Sequence, residues 1–193
     1  VDTEINGYLV TDLDSSMQSL NLEWDILQIF TERGDFLVFE YARQGESTDN
    51  AFSTAGGELE IDAGTYHWNG FSAVAKTTEA EDFNFNGSAG WSGYYGGSRL
   101  ELSAGGEWNI TPQFLVGAEY EWNDIKVQGQ RAITRQLSLI ADVYFTPDVS
   151  LTNFIQYDNI SDTVGINSRL RWIFQPVTHQ RASTVSYTHL TLP

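Results

Sequence analysis

The side chains that could do acid–base, nucleophilic or metal chemistry are few in this 193-residue chain, and their spacing suits none of it. There is no Cys, which removes the thiolate nucleophile, the disulfide framework and the thiolate metal site together. The His are His67, His179 and His189, and none is followed by a second ligand at the short spacing a metal site needs. Asp158-Asn159-Ile160-Ser161-Asp162 is rich in oxygen donors but lacks the calcium-loop spacing, and it reads as an exposed turn. No Gly-x-Ser-x-Gly elbow or phosphate-cradling Gly loop is present. Glu119 and Glu121 lie two apart, side by side on a strand, whereas glycosidase carboxyl groups must flank a substrate. Arg33-Gly34-Asp35 reads as a tight hairpin turn rather than an adhesion motif. No catalytic residue, cofactor or metal is therefore expected.

Composition narrows the classes further. The chain carries 26 acidic and 10 basic side chains, a net charge of −16, and its only Lys are Lys76 and Lys126. That is a poor electrostatic match for nucleic acid, so none is expected as a partner. With 6 Trp, 9 Tyr and 11 Phe the chain is also unlike a disordered one. A membrane helix needs ~18 consecutive apolar residues, and the longest apolar runs here are short, such as Phe36-Leu37-Val38-Phe39. Membrane β-strands alternate instead, and composition does not exclude them.

Alternation is the pattern that must position every polar group. From Arg99 to Ile110 one face reads Leu100, Leu102, Ala104, Gly106, Trp108, Ile110, and the other Arg99, Glu101, Ser103, Gly105, Glu107, Asn109. Successive strand side chains point to opposite sides, so this is a strand with one apolar and one polar face. The rhythm returns in 114–123, 136–145, 149–157 and 164–174, and less regularly in 4–11, 17–31, 36–44, 64–78 and 82–95. No long stretch has helical periodicity. Short connections at 33–35, 79–81, 111–113 and 146–148 alternate with longer ones at 45–63, 124–132 and 158–163. In an up-and-down meander this puts tight turns at one rim and variable loops at the other, as in outer-membrane barrels. The fold expected is all-β: an up-and-down antiparallel transmembrane β-barrel, incomplete, of about ten strands.

Segregation by face then assigns environments. Outer-membrane lipid would meet the apolar side, with Tyr66, Trp68, Tyr95, Trp108, Trp122, Phe145, Trp172 and Phe174 as interfacial aromatics. Glu101, Glu107, Glu119, Glu121, Asp142, Arg169 and Arg171 would line the lumen, because charge facing lipid is costly. Tyr94, Asn84, Asn86 and Gln156 are the candidate ligand contacts among the lumenal groups. His67, on the face opposite Trp68, would be a polar lining residue. In the 45–63 loop, Glu46, Asp49, Glu58, Glu60 and Asp62 would simply be solvated. The alternatives are a barrel-associated hydrolase and a soluble lipocalin-like binding barrel.

The run from Leu137 to Asp158, with Phe145-Thr-Pro-Asp-Val-Ser-Leu151 and Gln156-Tyr157, resembles the outer-membrane barrel of the DUF5916 family. Asn167 to Pro176, with Arg169-Leu-Arg-Trp172, is similar to the same family, as are Ile61 to Trp68 and Gly93 to Gly97. The resemblance spans roughly residues 55–176. It implies an N-terminal carbohydrate-binding module of the family 9 type, which nothing here matches, and further strands after Trp172. It also implies a Gram-negative outer-membrane location and a role in binding or uptake of extracellular carbohydrate-derived material, with a glycan as partner through the missing module. Residues 1–176 are thus expected to be a barrel segment. Residues 177–193, ending Val185-Ser-Tyr-Thr-His-Leu-Thr-Leu-Pro193, look like a translated sequencing adapter, a non-native or disordered tail.

Overall fold

The computed structural model describes residues 2–13 and 16–174 and the backbone of Ala182–Thr191. In chain order the strands are β1 (Asp2–Thr11), β2 (Met17–Phe30), β3 (Phe36–Thr48), β4 (Phe52–Thr54), β5 (Leu59–Ile61), β6 (Gly64–Lys76) and β7 (Phe83–Tyr94). They continue as β8 (Gly97–Thr111), β9 (Phe114–Val127), β10 (Gln130–Thr146), β11 (Val149–Asp158), β12 (Thr163–Trp172) and β13 (Ala182–Thr191). One antiparallel sheet runs β1-β2-β3-β6-β7-β8-β9-β10-β11-β12-β13, each strand beside the next, and its ends do not meet. β4 and β5 form a separate small pair. The molecule is therefore all-β with an up-and-down meander, as the alternation predicts.

The exposure of the two faces is the reverse of a soluble sheet. On β8, Leu100, Leu102, Trp108 and Ile110 are exposed, while Glu101, Ser103, Glu107 and Asn109 between them are half-buried. Register carries this assignment across the sheet, because cross-strand partners share a face. Trp24 pairs with Tyr41, Tyr41 with Phe71, Phe71 with Trp91 and Trp91 with Leu100, giving an outward aromatic row. Near the opposite rim Phe83 pairs with Trp108, and Trp172 stacks on Phe174 at 4.3 Å between ring centroids. A polar outward pair is closed on itself: Ser168 donates to Asn153 Oδ1 (2.8 Å), and Asn153 donates to the Ala141 carbonyl (3.3 Å).

The rim of short turns, at 31–35, 77–82, 112–113 and 147–148, is stitched together. Asp35 Oδ1 accepts from the Thr78 N–H (2.8 Å) and Oδ2 accepts from the Thr31 hydroxyl (2.9 Å). The Asp of Arg33-Gly34-Asp35 is thus engaged between two neighbouring turns.

The other rim departs from expectation. Segment 124–132 is not a loop: β9 and β10 run on to Val127 and Gln130 and meet in a two-residue turn with φ of 50° at Gln128 and 80° at Gly129. Tyr95 (φ 43°) and Gly96 (φ 80°) close β7–β8 in the same way. Two successive positive φ values give the turn whose twist matches paired strands. Only the excursion between β3 and β6 is long, and it is structured by β4 and β5 rather than simply solvated. Ala182–Thr191, inside the segment set aside as a tail, pairs antiparallel with β12 from Trp172 opposite Ala182 to Thr163 opposite Thr191. Residues 175–181, 192 and 193 lie outside the described residues, His179 among them, as do the side chains of β13, His189 included.

Candidate functional site

The concave face is identified by contacts that skip strands. Tyr95 in the β7–β8 turn hydrogen-bonds Glu46 on β3, and the Gln130 side chain on β10 accepts from the Glu60 N–H (2.9 Å) in the excursion. Both link the side of the sheet that carries Glu46, Tyr66 and Gln130 in the β3–β6 and β9–β10 registers. Following the same register, Glu101, Glu107, Glu119, Glu121, Asp142, Arg169 and Arg171 share this concave face. Asn84, Asn86, Tyr94 and Gln156 share it too.

These residues are not one site. Asn84, Asn86 and Glu107 line a groove of about 490 Å³ near the short-turn rim, between Phe36 and the Ser88–Ser103 hydroxyl pair (2.8 Å). A second groove of about 240 Å³ shares Asn86 and Glu107 and adds Glu119, Gln136, Ser138 and Gln156. Glu121 and Glu101 border a third, with Asn123, toward the loop rim. Glu101 is already paired with Arg99 (2.6 Å). Asp142 Oδ2 accepts from the Tyr144 hydroxyl (3.2 Å), while its Oδ1 is buried without a partner. Arg169 and Arg171 lie on β12 opposite Thr152 and Ser150, in no ion pair among the described residues. Tyr94 sits apart at the loop rim, with the Arg99 guanidinium 5.3 Å from its ring centre.

At that loop rim the faces exchange character. Outward positions become polar: Arg43, Asn69 and His67 continue the outer parity of Tyr41 and Phe71, and Asp124, Lys126 and Arg131 that of Trp122. Arg131 meets Asp124 with two hydrogen bonds, of 2.7 and 2.9 Å. His67 is thus on the outer face, not in the lumen. Inward positions become apolar. Leu59 and Ile61, both at 0 % exposure, pack with Ile125, Val127, Ala132 and Tyr95 in the one hydrophobic core found among the described residues. Tyr66, Trp68 and Tyr95, expected as an interfacial belt, instead form an interior aromatic cluster, with Tyr66–Tyr95 and Trp68–Tyr95 ring centres 5.2 and 5.0 Å apart. The positive φ at Tyr95 turns its side chain inward. Burial there, with the Glu46 carboxylate at its hydroxyl, pushes the phenol pKa well above its ordinary value. Glu46 is accordingly not just a solvated loop charge.

Sequence reasoning missed this core, although a signal existed: Glu58-Leu59-Glu60-Ile61-Asp62 alternates strictly inside the polar excursion. No group of metal-ligating side chains occurs among the described residues. No protein family, curated protein or solved structure matches the chain.

Proposed function

We propose that this chain is a segment of an outer-membrane β-barrel whose polar concave wall contacts extracellular carbohydrate-derived material. One observation carries the membrane part: the apolar faces of the strands point outward over a band of limited height. Thirty large apolar side chains are exposed, most of them on the outer parity of the strands, against six apolar residues buried in the core, among the described residues. In water such a surface would far exceed the patch a soluble protein exposes. From Leu100 to Ile110 the apolar parity of β8 covers about ten residues, ~33 Å of strand, or ~25 Å of height at the ~40° tilt of such barrels. That is the depth of a bilayer's apolar zone. Outward charges such as Arg43, Lys126 and Arg131 begin where the band ends. A soluble lipocalin-like barrel would need the opposite, an apolar interior along the length of the strands.

The carbohydrate part rests on the family resemblance and on the amides and carboxylates of the concave grooves. The test of the membrane reading is refolding into detergent micelles and lipid vesicles. A compact band on unheated gels, and vesicle co-flotation resistant to carbonate, are expected. A monodisperse, folded chain in plain buffer that ignores vesicles overturns the reading.

A further inference from the structure

Asn84 (6 % exposed) and Ser138 (9 % exposed), both on the concave face, make no side-chain hydrogen bond among the described residues, and their polar atoms are open to the grooves beside them. Neither sits in a dry core. Asn84 lines the groove of about 490 Å³, and Ser138 lines the adjoining one of about 240 Å³. The first alone is within the ~300–1,000 Å³ range of small-molecule sites. Asn86 and Glu107 form the ridge between the grooves, since both border each of them. Glu107 makes no ion pair or hydrogen bond among the described residues, and Asn84 and Gly117 are its cross-strand neighbours. Phe36 walls the first groove and Phe154 the second, each on the concave face. With no partner inside the protein, these groups are left free to hydrogen-bond a polar occupant of the grooves.

The donor and acceptor inventory restricts what that occupant is. Asn84, Asn86, Gln136 and Gln156 each offer an NH₂ donor and a carbonyl acceptor, while Glu107 and Glu119 offer acceptors only. An anion would satisfy the amide donors but face two carboxylates. A simple cation would satisfy the carboxylates and leave the amide NH₂ groups idle. The one Lys in the first groove, Lys76, is already paired with Glu79 (2.5 Å). Hydroxyl groups both donate and accept, and an aromatic ring at either end suits the C–H face of a sugar ring. We infer that the two grooves are one elongated subsite for a neutral polyhydroxylated ligand, centred on Asn86 and Glu107 and running from Phe36 toward Phe154. This rests on the barrel and carbohydrate reading above and adds the place and the contacts.

The test uses the full chain refolded in detergent, with maltotetraose, cellotetraose and xylotetraose as probes and spermidine and inorganic phosphate as charged comparators. Binding is read by calorimetry and by ligand-observed NMR, and each variant is first checked for the unheated gel shift. At least one oligosaccharide should bind, and Asn86→Ala and Glu107→Gln should each weaken it about tenfold or more. Glu107→Gln tests the carboxylate without removing bulk, so it remains informative if Asn86→Ala misfolds. Oligosaccharide binding indifferent to both changes overturns the subsite and leaves the carbohydrate reading standing. Spermidine binding that needs Glu107, with no oligosaccharide bound, overturns both in favour of a cation path. No binding of any probe to the folded barrel also overturns both.

Discussion

On β9, Glu119, Glu121 and Asn123 face the concave side, and Ile125 and Val127 continue the same parity in the next four residues. The outer parity changes oppositely, from Tyr120 and Trp122 to Asp124 and Lys126. One uninterrupted strand thus exchanges its apolar and polar faces part-way along its length. Across the middle of the sheet, order comes from backbone pairing, with apolar side chains facing outward and polar ones toward the concavity. At the loop rim it comes from burial in the ordinary sense, with Leu59 and Ile61 removed from water against Val127 and Ala132. Alternation alone therefore fixes which residues share a face, but not which face is wet.

The two regions should respond to opposite substitutions. The largest effect is expected at the loop rim: Leu59→Ala removes a fully buried side chain and should cost ~2–5 kcal/mol. Because the excursion is anchored by few groups, the loss should appear as local release. Protease cleavage within 49–63 and faster amide exchange at Val127 and Ala132 would register it, with the sheet intact. Uniform destabilisation of all strands would mean that this core holds the sheet as well.

Next is the outer band. Ala104→Arg, at an exposed position opposite Tyr120 and midway along the band, should cost ~2–4 kcal/mol in lipid vesicles. The matching change above the band, Lys126→Leu, should stay within about 0.5 kcal/mol. Denaturant titration of the refolded proteins in vesicles measures both. Equal effects at the two heights would abolish the distinction between the regions.

The smallest effect belongs to the short-turn rim. The Thr78 N–H and the Thr31 hydroxyl at its carboxylate hold Asp35 below the usual carboxylate pKa. A depressed pKa contributes stability that is present above the unfolded value, ~3.9, and lost as pH falls through the folded one. Asp35→Asn should therefore slightly lower the thermal midpoint at pH 7, and the difference should vanish in strong acid. A difference independent of pH would mean that the turn is held by its backbone alone.

The ladder of strands was legible because a period of two persists over ten to seventeen residues in most strands, with Thr-Pro or Gly-containing breaks at one rim. The loop rim was not, for two physical reasons. The turns at Tyr95-Gly96 and Gln128-Gly129 place a residue other than Gly or Asn at the first positive φ, so they carry only half the usual signal. Reading the strand-end aromatics as one interfacial belt also overrode parity, which already put Tyr66 and Trp68 on the side of Gly70 and Ser72. The polar-face residues could be assigned to a face, but not to separate grooves. That division depends on register between strands, which joins Asn84 to Glu107 and Ser138 to Glu119.

The anchorage of the excursion has a kinetic consequence. Glu60 is tied to Gln130, 70 residues later in the chain, and a side chain at Gly56 would collide with Ile160. Such distant contacts carry a high loop-closure cost until the intervening hairpins have paired. The buried apolar core among the described residues should therefore form after the sheet, and mutations in it should speed unfolding of the excursion while leaving the rate of sheet formation unchanged.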